Sequence, residues 1–166
     1  MPNDVFRAID AVLVLGVDDI SSPEGAAADK LVAQYDLSNT VGRLRNVTVN
    51  IATDLKPFYE IGRRYPTHLR PGVIRVHGTA ERAHVNGALL RLLLGDGAVS
   101  PPAAPNFSQP AFNIIVTLAD PNRPGQQTRV TVFGAKFEQW NYHIPTEDFV
   151  METVSFQALR VAFEES

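Results

Sequence analysis

Three separate stretches of this chain place apolar residues at every second position, a period that belongs to strands rather than helices. Within Val41–Ile51, Val47, Val49 and Ile51 share one face and Asn46, Thr48 and Asn50 the other. Within Gly72–Arg82, Ile74, Val76, Gly78 and Ala80 oppose a mostly polar set, Val73, Arg75, His77, Thr79 and Glu81. Within Phe112–Leu118, Phe112, Ile114, Val116 and Leu118 line one side. Each reads as a half-buried strand, so the chain is mainly β.

The rest of the pattern fits between these strands. Ala11–Val17, "AVLVLGV", reads as a short apolar strand. Asp18–Ala28 holds turn formers and small residues and reads as a loop. Lys30–Gln34 is compatible with a short strand, and Tyr35–Thr40 is turn-like. Thr128–Phe137 returns as the partner of Phe112–Leu118 across a Pro/Gly-containing turn, Pro121–Gln127. One helix is expected, Ala83–Leu94, apolar over much of its circumference and stopped by Gly95; a helix this greasy needs a sheet to cover it. Asp96–Pro110 is a Pro-rich loop. Phe149–Phe163 reads as one long extended segment, its end at Ala158–Phe163 open between strand and helix.

Ala52–Pro71, "ATDLKPFYEIGRRYPTHLRP", stands apart. Its three prolines exclude a long helix, and its aromatics make it a poor passive linker. A loop of about 20 residues in a small domain is usually functional or disordered. The apolar content here predicts that it orders against something.

Composition removes whole classes of function. The chain has 166 residues and no cysteine. That length predicts one domain, 1–166. The missing thiols exclude disulfides, thiolate metal sites, iron–sulfur clusters and a cysteine nucleophile. No apolar run approaches the ~20 residues of a membrane helix, and the start lacks a basic signal region. The expectation is a soluble cytoplasmic protein with no membrane partner. Phosphate-loop, dinucleotide and nucleophile-elbow motifs are missing. The adjacent pairs Asp18–Asp19 and Glu147–Asp148 would face opposite ways on an extended chain and read as solvated loop charge. His77, Glu81 and His84 are the one tempting metal set. They span two element types and lack the spacing of a helical zinc site, so exposed polar positions are the expectation.

Charge is unevenly spread. Residues 1–42 carry two basic and seven acidic groups, 43–91 nine and three, and 92–166 four and eight, for a net −3. Either the chain compensates itself, or its basic segment meets an acidic surface on another copy. Within the basic segment, Phe58, Tyr59 and Tyr65 lie among Lys56, Arg63, Arg64 and Arg70. Such a set can tuck into a core, anchor a protein interface or grip single-stranded nucleic acid. The overall negative charge disfavours the last.

The order of elements resembles the major tail tube protein of tailed bacteriophages and related contractile injection devices. Three features carry the resemblance, between about Val41 and Val161: "EIGRR" followed by "RPGVIRVHGTAER"; the Leu-rich helix between the strand pairs; and "TVFGAKFEQW…PTEDFVMETVSFQA". Residues 1–40 fall outside the match.

The resemblance implies two packed antiparallel sheets, one flanking helix, and no catalysis or cofactor. It implies hexameric rings whose inner sheets join into one barrel, stacked into a conduit for DNA. The 52–71 segment becomes an inter-ring loop, with Lys56, Phe58, Tyr59, Arg63, Arg64, Tyr65 and Arg70 at the contact. Implied partners are further copies, a tape measure protein, tail terminator and baseplate proteins, and a sheath if the tail contracts. DNA would pass without specific binding. The place would be a virion tail, assembled in the host bacterial cytoplasm. Close variants are the inner tube of a tailocin and a type VI secretion-like ring. The rival of another class is a ligand-binding β-barrel or sandwich with the helix as lid.

Overall fold

The computed structural model describes residues 5–39, 41–42, 44–98, 108–123 and 125–165. The chain order is β1 (Ala11–Gly16), α1 (Pro23–Gln34), β2 (Leu44–Phe58), β3 (His68–Ala83), α2 (Ala88–Leu94), β4 (Phe112–Ala119), β5 (Gln127–His143), β6 (Met151–Ala158) and β7 (Arg160–Glu165). The protein is mainly β, as the alternation predicts. Of the expected loop at Asp96–Pro110, residues 99–107 lie outside the described residues. None of the described helices is long and apolar enough to cross a membrane.

All strand pairs are antiparallel, in the order β1-β4-β5-β6-β3-β2, with β7 also on β5. The two expected sheets are therefore one hydrogen-bonded path folded over on itself, and β5 is the shared strand. Its first half pairs with β4 and β7, for example Val130 with Val116 and Phe163. Its second half, from Lys136, pairs with β6. The strand changes layer beside Gly134, where Leu159 N–H bonds Phe133 C=O at 2.9 Å. That contact also splits the expected Phe149–Phe163 segment into β6 and β7. The open end at Ala158–Phe163 resolves as strand.

The layers share a core. Leu13, Leu15, Ile114 and Val132 come from one, and Val76, Val154, Phe156 and Phe137 from the other. Gly78 is needed for close packing: a Cβ there would run into the Thr48 carbonyl oxygen and the Phe156 ring.

Two readings are corrected here. The segment read as a loop followed by a strand is largely α1. Ser22 caps it by accepting a bond from Gly25 N–H at 3.0 Å, Pro23 opens it, and Ala28, Leu31 and Val32 bury one face. The flank therefore carries two helices, not one. The Leu-rich helix is shorter than Ala83–Leu94. Val76 to Ala83 stay in β3 because each finds a partner on β6, ending at Ala83 opposite Met151. The helix starts after Asn86, whose Oδ1 accepts from Ala88 N–H at 3.1 Å, and buries Ala88, Leu89 and Leu92.

Candidate assembly interface

The segment expected as an irregular loop at 52–71 is mostly a β-hairpin arm. β2 and β3 stay paired to Phe58 opposite His68, with Lys56 opposite Arg70. The prolines are tolerated because β2 is an edge strand and Pro71 lies beside a bulge between Thr53 and Leu55. Only residues 59–67 form the tip. It is closed by Thr67 N–H to Phe58 C=O at 2.9 Å and turned through Gly62 at φ 86°. β6 pairs with β3 only from Val76 onward, so about eight residues of each strand, ~25 Å, project without a third strand.

The arm has two unlike faces. One carries Val47, Val49, Ile51, Thr53, Leu55 and Pro57 opposite Ala80, Gly78, Val76, Ile74, Pro71 and Leu69. Near the body only the β3 side of this face, at Val76 and Gly78, is buried, while Val47 and Ile51 on β2 are already exposed. Farther out both sides are bare, and Leu55, Leu69 and Ile74 are each exposed. The other face carries an Asp54–Arg75 ion pair and the Phe58–His68 ring contact at 6.3 Å. The strand at Val41–Ile51, expected to be half-buried, is thus mostly uncovered in a single chain. A two-stranded hairpin is marginal in water on its own.

The seven residues implied as an inter-ring contact all lie on this arm. Lys56, Phe58 and Arg70 are at its outer strand ends, and Tyr59, Arg63, Arg64 and Tyr65 are at its tip. All are exposed. None tucks into the core, so the structure removes that reading. Arg63 reaches Glu60 at 3.9 Å, an exposed pair of little energetic weight.

Below the arm, the polar faces of β2, β3, β6 and β5 align into rows. One row is Asn46, Glu81, Thr153 and Asn141; the next is Thr48, Thr79, Ser155 and Gln139; the third is Asn50, His77, Gln157 and Lys136. Lys136 is drawn to Glu24 at 3.0 Å. The surface is hydroxyls and amides with almost no net charge, and most of it faces water. The outer strands of this four-strand sheet, β2 and the second half of β5, have no further strand among the described residues. The opposite layer differs: the outer edge of β1 is covered by Leu37 and Val41, through Leu15 N–H to Leu37 C=O and Val41 N–H to Leu13 C=O.

The metal and lid readings are not supported by geometry. His77 and Glu81 sit four residues apart along β3, ~13 Å. His84 turns instead to Glu152, 3.4 Å away, and to the Tyr142 ring. No three such ligands cluster among the described residues. The void where Leu89 of α2 meets the core strands is only about 20 Å³, too small to hold a ligand. A wider apolar groove of about 410 Å³ lies at the seam between β1 and β2.

Sequence reasoning missed Arg82, which continues the core face of β3 and is 1% exposed. Its Nε donates to Glu152 Oε1 at 2.7 Å, and its remaining donors reach the carbonyls of Val41 and Asn86. Glu152 Oε2 accepts from Trp140 Nε1 at 3.1 Å. The signal was a charged residue at the next step of an apolar alternation.

No family model matches the chain, and no curated protein matches it in sequence. Its fold is that of the tail tube proteins of phages and contractile injection systems. The tube-terminating cap of the anti-feeding prophage superposes with a TM-score of 0.66 at 10% identity, covering 100% of this chain and 95% of that one. A chain of the PVC extracellular contractile injection system sheath–tube complex gives 0.63 at 10%, covering 99% and 94%. The SPP1 tail tube gives 0.58 at 12%, covering 98% and 80%.

Proposed function

We propose that this chain is the repeating, non-catalytic subunit of a tail tube, polymerised as stacked hexameric rings around a lumen. The observation that carries the reading is the four-strand sheet with one polar face, whose outer strands, β2 and the second half of β5, have no further strand among the described residues. Its strands alternate in direction, so β2 and β5 run oppositely. Rotating a copy about an axis along the strands keeps those directions. The β5 edge of one copy then meets the β2 edge of the next antiparallel, and repetition closes a ring. Closure removes the open edges and turns the rows of Asn, Thr, Ser and Gln toward the lumen. The hexameric count rests on the resemblance.

A conduit must not hold its cargo. Tight DNA binding needs many phosphate contacts by Lys or Arg, and the rows supply almost none. DNA, and a tape measure protein before it, would slide over a neutral hydrated wall in a virion tail put together in the host bacterial cytoplasm. Terminator and baseplate proteins would close the ends, with a sheath outside if the device contracts. Free protein should accordingly give no shifted DNA band at physiological salt, whereas a salt-sensitive nanomolar complex would contradict the neutral lumen.

The bare apolar face of the arm supports an assembling subunit: Ile51, Leu55, Leu69 and Ile74 are each more than half exposed. Negative-stain micrographs of concentrated protein, alone and with a baseplate-like initiator, should show rings or tubes with a central hole. Persistent small monomers under both conditions would favour a ligand-binding module using the β1–β2 groove. Replacing Arg63 and Arg64 together by Glu should stop tube growth and leave the β circular dichroism signal intact.

A further inference from the structure

We propose that the tip of the β2–β3 arm docks on the opposite end of the same sheet in the next copy along the tube, against Val85, Ile144 and Phe149 beside Glu147 and Asp148. The inference rests on the tube reading and names the surface that receives the arm.

β3 runs the whole distance from the tip at His68 to the base at Ala83, 16 residues or ~50 Å. At the base, two connections lie together. The 84–87 segment follows β3, and the 144–150 segment joins β5 to β6. They are tied by His84 N–H to Val150 C=O at 2.9 Å. They hold out Val85, Ile144 and Phe149, which are 59%, 67% and 78% exposed. The tip holds out Tyr59, Ile61 and Tyr65 in the same way. The sheet thus ends in an apolar cluster at each pole.

The charges at the two poles are opposite. Residues 56–70 carry four basic groups and one acidic; residues 143–152 carry three acidic groups and no basic one. Glu152 is already taken by Arg82, which leaves Glu147 and Asp148 exposed beside the apolar cluster. Opposite charge around apolar centres fixes which end meets which and disfavours tip-to-tip pairing. Two different poles on one subunit make a heterologous contact that repeats without limit.

The chain has no cysteine, which makes crosslinking a clean test. Ile61→Cys combined with Ile144→Cys should give, under mild oxidation at assembling concentration, a ladder well beyond dimer on a non-reducing gel. Each single variant should stop at dimer. Tip and base of one copy are far outside the ~7 Å limit for a disulfide, so no internal bond competes. Adding Glu147→Arg and Asp148→Arg to the Arg63→Glu, Arg64→Glu variant should restore tubes. It should bring the concentration at which they appear at least tenfold below that of the arginine-reversed chain. Wild-type tubes in micrographs with neither ladder nor rescue would overturn this docking and leave the tube reading standing. Wild-type protein that never assembles, even with an initiator, would remove the tube reading and this inference together.

Discussion

The same two strands meet two different fates along their length. In the body, the apolar face of β3, with Val154 and Phe156 beside it, shares a core with Leu13, Leu15, Ile114 and Val132 of the other layer, and Val76 is 4% exposed. Two residues further out on the same face, Ile74 is 66% exposed. The alternation does not change; the cover does. Apolar periodicity records that a face is meant to be dry, without recording whether the covering surface is in the same chain. In the body it is; in the arm the proposed assembly supplies it.

This contrast can be broken hardest at Glu152. Glu152→Ala would strand Arg82 in the core and leave the Trp140 N–H without its acceptor. The expected loss is about 3–5 kcal/mol in urea unfolding. A loss under 1 kcal/mol would mean the body tolerates an unpaired buried charge and is looser than described. Phe156→Ala comes next, with about 3–5 kcal/mol expected if the site relaxes little and less if Gly78 and Phe137 close over the gap.

The arm should behave in the opposite sense. Leu55→Ser with Ile74→Ser should change monomer stability by roughly 0.5 kcal/mol or less per site, as exposed positions do, yet suppress tubes in micrographs. A large drop in monomer stability would show that the arm folds back onto its own body in solution. The smallest effect is expected away from both regions, at Asp19. The Ser21 hydroxyl, then the Ser21 N–H, hold its carboxyl below the usual range. Because the folded value is the lower one, that contact stabilises above the ordinary carboxylate pKa and is lost as pH falls through the folded value. Ser21→Ala should move the Asp19 titration upward by NMR without altering assembly.

Much of the β framework was legible because alternation is a local property. The partnership of β4 and β5 and the face assignments of β2 and β3 followed from it. What was misread had local signals that compete. Ser22-Pro23-Glu24 is both a turn-like string and a helix start, and only the burial of Ala28, Leu31 and Val32 decides between them. Pro57 and Pro71 argue against strand in general, yet an edge and a bulge accommodate them. The Arg82–Glu152 pair joins residues 70 positions apart, a distance over which spacing carries no information. The basic aromatic segment was recognisable as unusual, but its partner could not be read from the segment itself. Only the folded sheet sets that tip and the 144–150 turn at opposite poles.

One mechanical consequence follows from the direction of the arm. In the proposed tube, the backbone bonds between strands run around the circumference, while neighbouring rings meet through side chains at the tips. A ring is therefore a stiff hoop, and the seam between hoops is the compliant joint. Bending would open tip contacts along the convex side before it disturbed any strand. Fragments of a sheared tube would then be whole numbers of rings, with broken ends still able to rejoin.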